Sequence, residues 1–296
     1  MGFKDTVNIT MTTIAFWDLI RVLCGLAHRL YGPMAWVFPA FGKSWQNITV
    51  TNLVYLHVIS GNVSYVIGGY VAVERCFCVC FPLKVKTLLT PKLTSFVCVT
   101  LSILVFVSLL PILLVFEYRW VYTAQYQTVI AVYQYTHFYS VHGQKFMEGY
   151  KYLGFIYPVL SLTAMVFSTV VISYKLQRAS RFRKGASAGS KPGTQDRGPS
   201  EVTTRDRQVI TMLLVVIGVY IVNLVPRVVH FIAMLLEPEY YVLKYYNNIF
   251  WVIVYVIFVL DFVNASVNLF IFYYMSTKFR ACFVKIFQPM CLSGKA

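Results

Sequence analysis

Apolar residues run along this chain in six long blocks, at 7–31, 48–80, 93–116, 151–177, 207–235 and 246–275. Each exceeds the roughly 20 residues that a helix needs to cross a hydrocarbon core. Backbone polar groups in lipid must be paired within the segment, so the blocks predict helices. Polar positions collect between them. The stretch 182–204, with Gly185, Ser187, Gly189, Pro192 and Gly193 among charges, predicts an irregular linker. The stretch 117–150 is instead rich in Tyr, Val and Thr, which suits a β-hairpin lid. After the last block, 276–287 sets Phe279, Phe283 and Ile286 on one face and Lys278 and Lys285 elsewhere, the pattern of a helix lying at a membrane surface. The predicted fold class is therefore an all-α membrane bundle forming a single domain over 1–296.

Composition agrees. Hydrophobic residues make up 58% of the chain and charged residues 12%, about half the charged share of a soluble domain. A net charge of +15 raises nucleic acid as a partner, but its distribution argues against one. Of 26 Lys and Arg, 18 lie at the start, in 74–92, in 175–207 or after 275, and 5 lie in 32–47, 117–151 or 236–245. This asymmetry places both ends of the chain on the cytoplasmic side of a bilayer. The seven cysteines fall in or beside the spans and in the tail, with none in the outer loops. They read as packing residues, with Cys282 and Cys291 as candidate palmitoylation sites. Asn47-Ile48-Thr49 is a glycosylation sequon at the outer side. No nucleophile–base or metal-ligand constellation points to an enzyme.

Charges inside the spans carry the remaining chemistry, because such residues are costly and need partners. They are Asp18, Arg21, Arg29, Arg227 and Asp261, joined by His57 and His230. Three arginines against one aspartate in the outer half point to a carboxylate-bearing ligand, since guanidinium binds carboxylates as a fork. An internal Arg227–Asp261 or Arg21–Asp261 bridge that only removes a charge penalty accounts for the same residues.

At the inner end of the second block the chain reads Glu74-Arg75-Cys76, followed by Pro82. This run resembles the Glu/Asp-Arg-Tyr signature of rhodopsin-like G-protein-coupled receptors. Asp18, Ser64 eleven residues before Arg75, Pro226 and the stretch Asn264 to Phe272 fall at that family's spacings. The run after Arg75 is similar to that of invertebrate, especially molluscan, peptide and chemosensory receptors.

The resemblance implies a bundle of six of the family's seven helices, the first being absent. It implies an extracellular ligand, either a peptide or a small anionic compound, and a heterotrimeric G protein as partners at the plasma membrane. Glu74, Arg75 and Asp206 would form an ionic lock and coupling site. Asp18, Ser64, Asn264 and Asn268 would form a sodium site or, without the ion, a protonated aspartate bonded to amides. Arg21, His57, Arg227, His230 and Asp261 would line the ligand pocket, and Pro226 would kink its helix. The chain departs from the pattern at Leu224, Leu269 and Phe272, and Val50 stands where a disulfide cysteine would be. A signalling-inert membrane protein that dimerises with another receptor is thus a second expectation. A transporter or channel is a third.

Overall fold

The computed structural model describes residues 6–81, 89–189, 204–240 and 244–275, with the short helical pieces 280–281 and 284–285. Six helices are long and apolar enough to cross a membrane. The helices are α1 (Thr6–Arg29), α2 (Tyr31–Val37), α3 (Pro39–Cys80), α4 (Pro91–Leu109), α5 (His137–Gly189), α6 (Thr204–Leu236) and α7 (Asn247–Met275). A 3₁₀ turn at Leu110–Leu114 leads into strands β1 (Phe116–Thr123) and β2 (Thr128–Tyr135). The architecture is an all-α membrane bundle roofed by one hairpin.

Helix α3 is the axis of the bundle, packing against α1, α2, α4, α5, α6 and β2. Its 42 residues span about 63 Å at 1.5 Å per residue, about twice the thickness of a hydrocarbon core. Small residues let neighbours approach it. Ile59, Val63, Ile67, Val71 and Ala72 are buried against Met165 of α5, Tyr220 and Leu224 of α6, and Cys98 and Val105 of α4. Large apolar residues such as Phe16, Leu19 and Leu23 of α1 and Val252, Val256 and Val259 of α7 remain outward, as lipid-facing positions do.

The six spans follow the apolar blocks, but three boundaries move. Helix α3 starts at Pro39, nine residues before the apolar block. Proline suits the first helical turn, and the polar residues that follow are used against the hairpin. Helix α5 starts at His137, where Thr136 Oγ1 accepts from the Tyr139 amide at 3.3 Å, so 137–150 is helix and not part of the lid. Helix α5 also runs on to Gly189, which corrects the irregular reading of 182–189. Arg178, Arg181, Arg183, Lys184, Ala186 and Ala188 are good helix formers, and the isolated Gly185 weakens the helix without ending it. Residues 190–203, and most of the proposed surface helix 276–287 with Cys282 and Cys291, lie outside the described residues.

The hairpin itself is as expected. Phe116 pairs with Tyr135 and Thr123 with Thr128, and Gln127 closes the turn with a φ of 49°. A polar clamp fixes β2 to α3. Asn47 Nδ2 donates to the Ala131 carbonyl at 2.8 Å, and the Ala131 amide donates to Ser44 Oγ at 3.1 Å. From β1, the Tyr118 hydroxyl bonds Thr51, Asn52 and, at 3.2 Å, the Ile48 carbonyl. The sequon reading of Asn47 is corrected by this placement. Its side chain is buried and its amide nitrogen, the atom a glycan would need, is spent on the hairpin.

Candidate functional site

Four helices bring their charges to one carboxylate. Asp261 of α7 is 1% exposed. Its Oδ1 accepts from the Tyr65 hydroxyl at 2.6 Å and from Arg21 Nη1 at 3.4 Å. Its Oδ2 contacts Arg227 Nη2 at 2.5 Å and His57 Nε2 at 3.1 Å. A carboxylate has about four lone-pair sites, and these four contacts fill them. Arg21 also donates to Asp18 Oδ1 at 2.7 Å, and Tyr220 reaches Asp18 Oδ2 at 3.5 Å. The two aspartates and two arginines sum to zero charge, which makes deep burial tolerable. The Tyr65 ring lies between the guanidiniums, 5.6 Å from Arg21 Cζ and 5.3 Å from Arg227 Cζ, a cation–π arrangement that further offsets desolvation.

The local sequence explains the convergence. His57, Gly61 and Tyr65 lie four residues apart on α3 and so share a face. A Cβ at Gly61 would sit 3.4 Å from Arg21 Cδ and 3.8 Å from Arg227 Nη2, so a side chain larger than alanine would push the guanidiniums apart. On α1, a Cβ at Gly25 would lie 2.5 Å from Phe262 Cζ and 3.1 Å from His57 Nδ1. Glycine there lets α1 close on both α3 and α7.

Above the cluster lies a cavity of about 110 Å³. Its walls are rich in aromatic residues, including Tyr55, Tyr150, Phe231 and Trp251, and the hairpin contributes Phe116, Tyr133 and Tyr135. Arg227 and His230 are its charged and titratable lining residues. Arg227 Nε is buried without a hydrogen-bond partner. His230 Nδ1 pairs with the Tyr240 hydroxyl at 2.9 Å. Burial raises the Tyr240 phenol above its ordinary value, so at neutral pH it is an O–H that can donate to this nitrogen.

Of the five predicted pocket residues, the structure therefore puts Arg227 and His230 on the cavity wall. It puts Arg21, His57 and Asp261 behind it. Both salt bridges that the sequence left as alternatives to ligand contact are present, on the same carboxylate. Tyr65 and Tyr220 were not predicted. The signal for Tyr65 is its two-turn spacing from His57, which is weak in a chain with 22 tyrosines.

The sodium site does not fit the residues present. The Asp18 carboxylate meets the Arg21 guanidinium at 2.7 Å, and a cation already occupies the place a metal ion would take. Ser64 and Asn264 are fully buried, but their side-chain polar atoms have no hydrogen-bond partner, so neither bonds Asp18. The Asn268 side chain lies outside the described residues, as do those of Leu269 and Phe272.

At the inner end of α3, Arg75 Nη2 donates to Glu74 Oε1 at 2.6 Å and to Thr6 Oγ1 at 3.3 Å. Glu74 is 1% exposed. The Asp206 side chain, the other expected partner of Arg75, lies outside the described residues. Pro226 sits inside α6, where its missing N–H and ring interrupt the helical ladder, one residue before Arg227. Pro158 does the same in α5 and was not singled out from the sequence.

The family model for serpentine type 7TM GPCR chemoreceptors, Srw, matches residues 3–289. The chain belongs to that family. It is a multi-pass membrane receptor of the G-protein-coupled kind, whose members in general join an extracellular ligand to a G protein. The match is to serpentine chemoreceptors and does not carry the narrower molluscan likeness. No curated protein matches the chain.

Proposed function

We propose that this serpentine chemoreceptor takes a small carboxylate-bearing ligand into the cavity beneath the hairpin and signals to a heterotrimeric G protein at the Arg75 end of α3. The observation that carries the ligand class is Arg227. It lines an aromatic cavity, one face of its guanidinium is committed to Asp261, and its Nε is without a partner. A buried N–H without an acceptor costs free energy that an incoming carboxylate would recover. The cavity volume favours a small ligand over a peptide, since a pocket of about 150 Å³ holds benzene. The excess of Lys and Arg in 74–92, 175–207 and the tail supports an orientation with these segments facing the cytoplasm, at the plasma membrane.

The test uses cells expressing the receptor and a panel of acetate, propionate and their uncharged amides, which a cavity of about 110 Å³ can hold. The acids should elicit a response and the amides should not. Replacing Arg227 by Lys, which keeps the cation that Asp261 needs but removes the forked guanidinium, should reduce the response to acids at least tenfold with surface expression retained. Equal potency of acid and amide would reject the carboxylate reading.

Leu224, fully buried where the resemblance expects a tryptophan, favours a second reading, a signalling-inert partner of another receptor. Acids that bind without any G-protein response, in a receptor that co-purifies with another, would support that reading.

A further inference from the structure

His57 stands outside the cavity lining yet completes the charged cluster. Its Nδ1 lies 2.9 Å from the Arg21 carbonyl oxygen and its Nε2 lies 3.1 Å from Asp261 Oδ2. Both partners are acceptors. A neutral imidazole has one donor and one acceptor nitrogen. Either neutral tautomer therefore sets a lone pair against an oxygen. Only the doubly protonated ring satisfies both contacts.

The surroundings of the ring decide when that second proton is admitted. From α1 it faces Arg21, with Asp18 and His28 further along the same helix. From α7 it faces Asp261 and the rings of Phe258 and Phe262, at 4.5 and 5.8 Å. From α6, Arg227 reaches the same carboxylate oxygen as His57. Tyr65 of α3 donates to the other oxygen. Arg21 and Arg227 oppose a further positive charge, and Asp261 favours one. With His57 neutral the cluster sums to zero. With His57 charged it carries one positive charge in a dry interior, and that charge lacks a counter-ion.

We propose that an anion binding at Arg227 is taken up together with a proton, which lands on His57. This deepens the carboxylate reading and rests on it. The ligand supplies the missing negative charge through Arg227, and the imidazole then donates to both of its acceptors. The proton comes from bulk water, and the new bond is the second N–H of the His57 ring. Coupling of this kind is reciprocal, so protons must also promote anion binding. His57 is a positioning residue here, since it acts through Asp261 and Arg227.

The experiment is calorimetry on the full chain in lipid nanodiscs. The probes are acetate and methanesulfonate, both small enough for the cavity, the second being anionic at every working pH, so any proton taken up belongs to the protein. Binding heats near neutral pH in two buffers of different ionisation enthalpy give the number of protons absorbed. We expect uptake approaching one proton per probe. Affinity should rise as pH falls, by up to about tenfold per pH unit. His28→Gln, at a buried histidine off the cavity wall, should keep the uptake, and His57→Gln should lose both the uptake and the pH slope, whereas loss with His230→Gln alone would place the proton on the cavity wall. Should His57→Gln fail to reach the membrane, His57→Asn serves in its place. Anion binding without proton uptake overturns the coupling and leaves the carboxylate site standing. Uptake that survives removal of His57, or that vanishes only with His230, also overturns it. If neither anion binds at any pH while the protein is folded, the carboxylate reading fails and the coupling fails with it.

Discussion

The two ends of α3 are held in different ways. Its outer half is tied to its surroundings many times over. His57 and Tyr65 meet a carboxylate shared by two arginines, and Ser44, Asn47, Thr51 and Asn52 hold the hairpin. At its other end, among the described residues, Glu74 and Arg75 pair with each other within α3 and reach a neighbouring helix through one bond, from Arg75 to Thr6 of α1. Redundant contacts resist rearrangement, whereas a lone bond between two helices is more easily exchanged for another. A receptor needs this division. Under the proposed function the cavity end keeps a shaped site and the Arg75 end changes partners at smaller cost.

The comparison is broken most severely by Asp261→Asn. That change leaves two buried guanidiniums facing an uncharged amide, and unpairing a buried charge costs about 3–5 kcal/mol. Surface expression should collapse, as measured by flow cytometry on an outer tag. Adding Arg227→Gln to Asp261→Asn should restore part of it, because the charge sum returns to zero. Restoration would show that imbalance, and not lost packing, is the cause.

A smaller effect should follow from Asn47→Ala. It removes the donor to the buried Ala131 carbonyl, at a cost of about 1–3 kcal/mol. The melting temperature in detergent should fall, while mobility on a gel, with and without glycosidase, should match the parent. A glycosidase shift in the parent would contradict the clamp.

Smallest should be Glu74→Gln at the inner end. Gln keeps an acceptor oxygen for Arg75, and the guanidinium retains its bond to Thr6 and an 11% exposed edge, so basal G-protein activation should rise only a few-fold. A change larger than that caused by Asp261→Asn would invert the contrast between the two ends.

Much of this contrast was legible in the sequence, for identifiable reasons. Membrane helices announce themselves by length and apolarity, so the six spans could be read directly, and the hairpin was legible within 117–150 but not its end before the helix that starts at His137. The helical start at Pro39 could not. Gly42, Lys43, Ser44, Gln46 and Asn47 look like a polar loop, and their burial depends on a hairpin more than 80 residues later in the chain. The charges of the outer half were visible, and so was their choice between pairing and ligand contact. Which arginine faces the cavity was not visible, because Arg21 and Arg227 have the same chemistry and only the packing of α1 against α3 separates them. The sodium reading failed for a related reason. It took Asp18 with distant oxygen donors and passed over Arg21, three residues away on the same helical face.

The clamp between β2 and α3 also has a consequence for redox behaviour. No cysteine occurs between Cys98 and Cys282, so the hairpin contains no sulfur with which to be stapled. The hydrogen bonds of Ser44 and Asn47 to Ala131, and of Tyr118 to α3, do the fastening instead. Such bonds need no oxidant to form and no isomerase to correct. The lid over the cavity can therefore assemble as soon as α3 and the hairpin have both left the ribosome. It should hold its place in a thiol-rich environment that would open a disulfide-fastened lid.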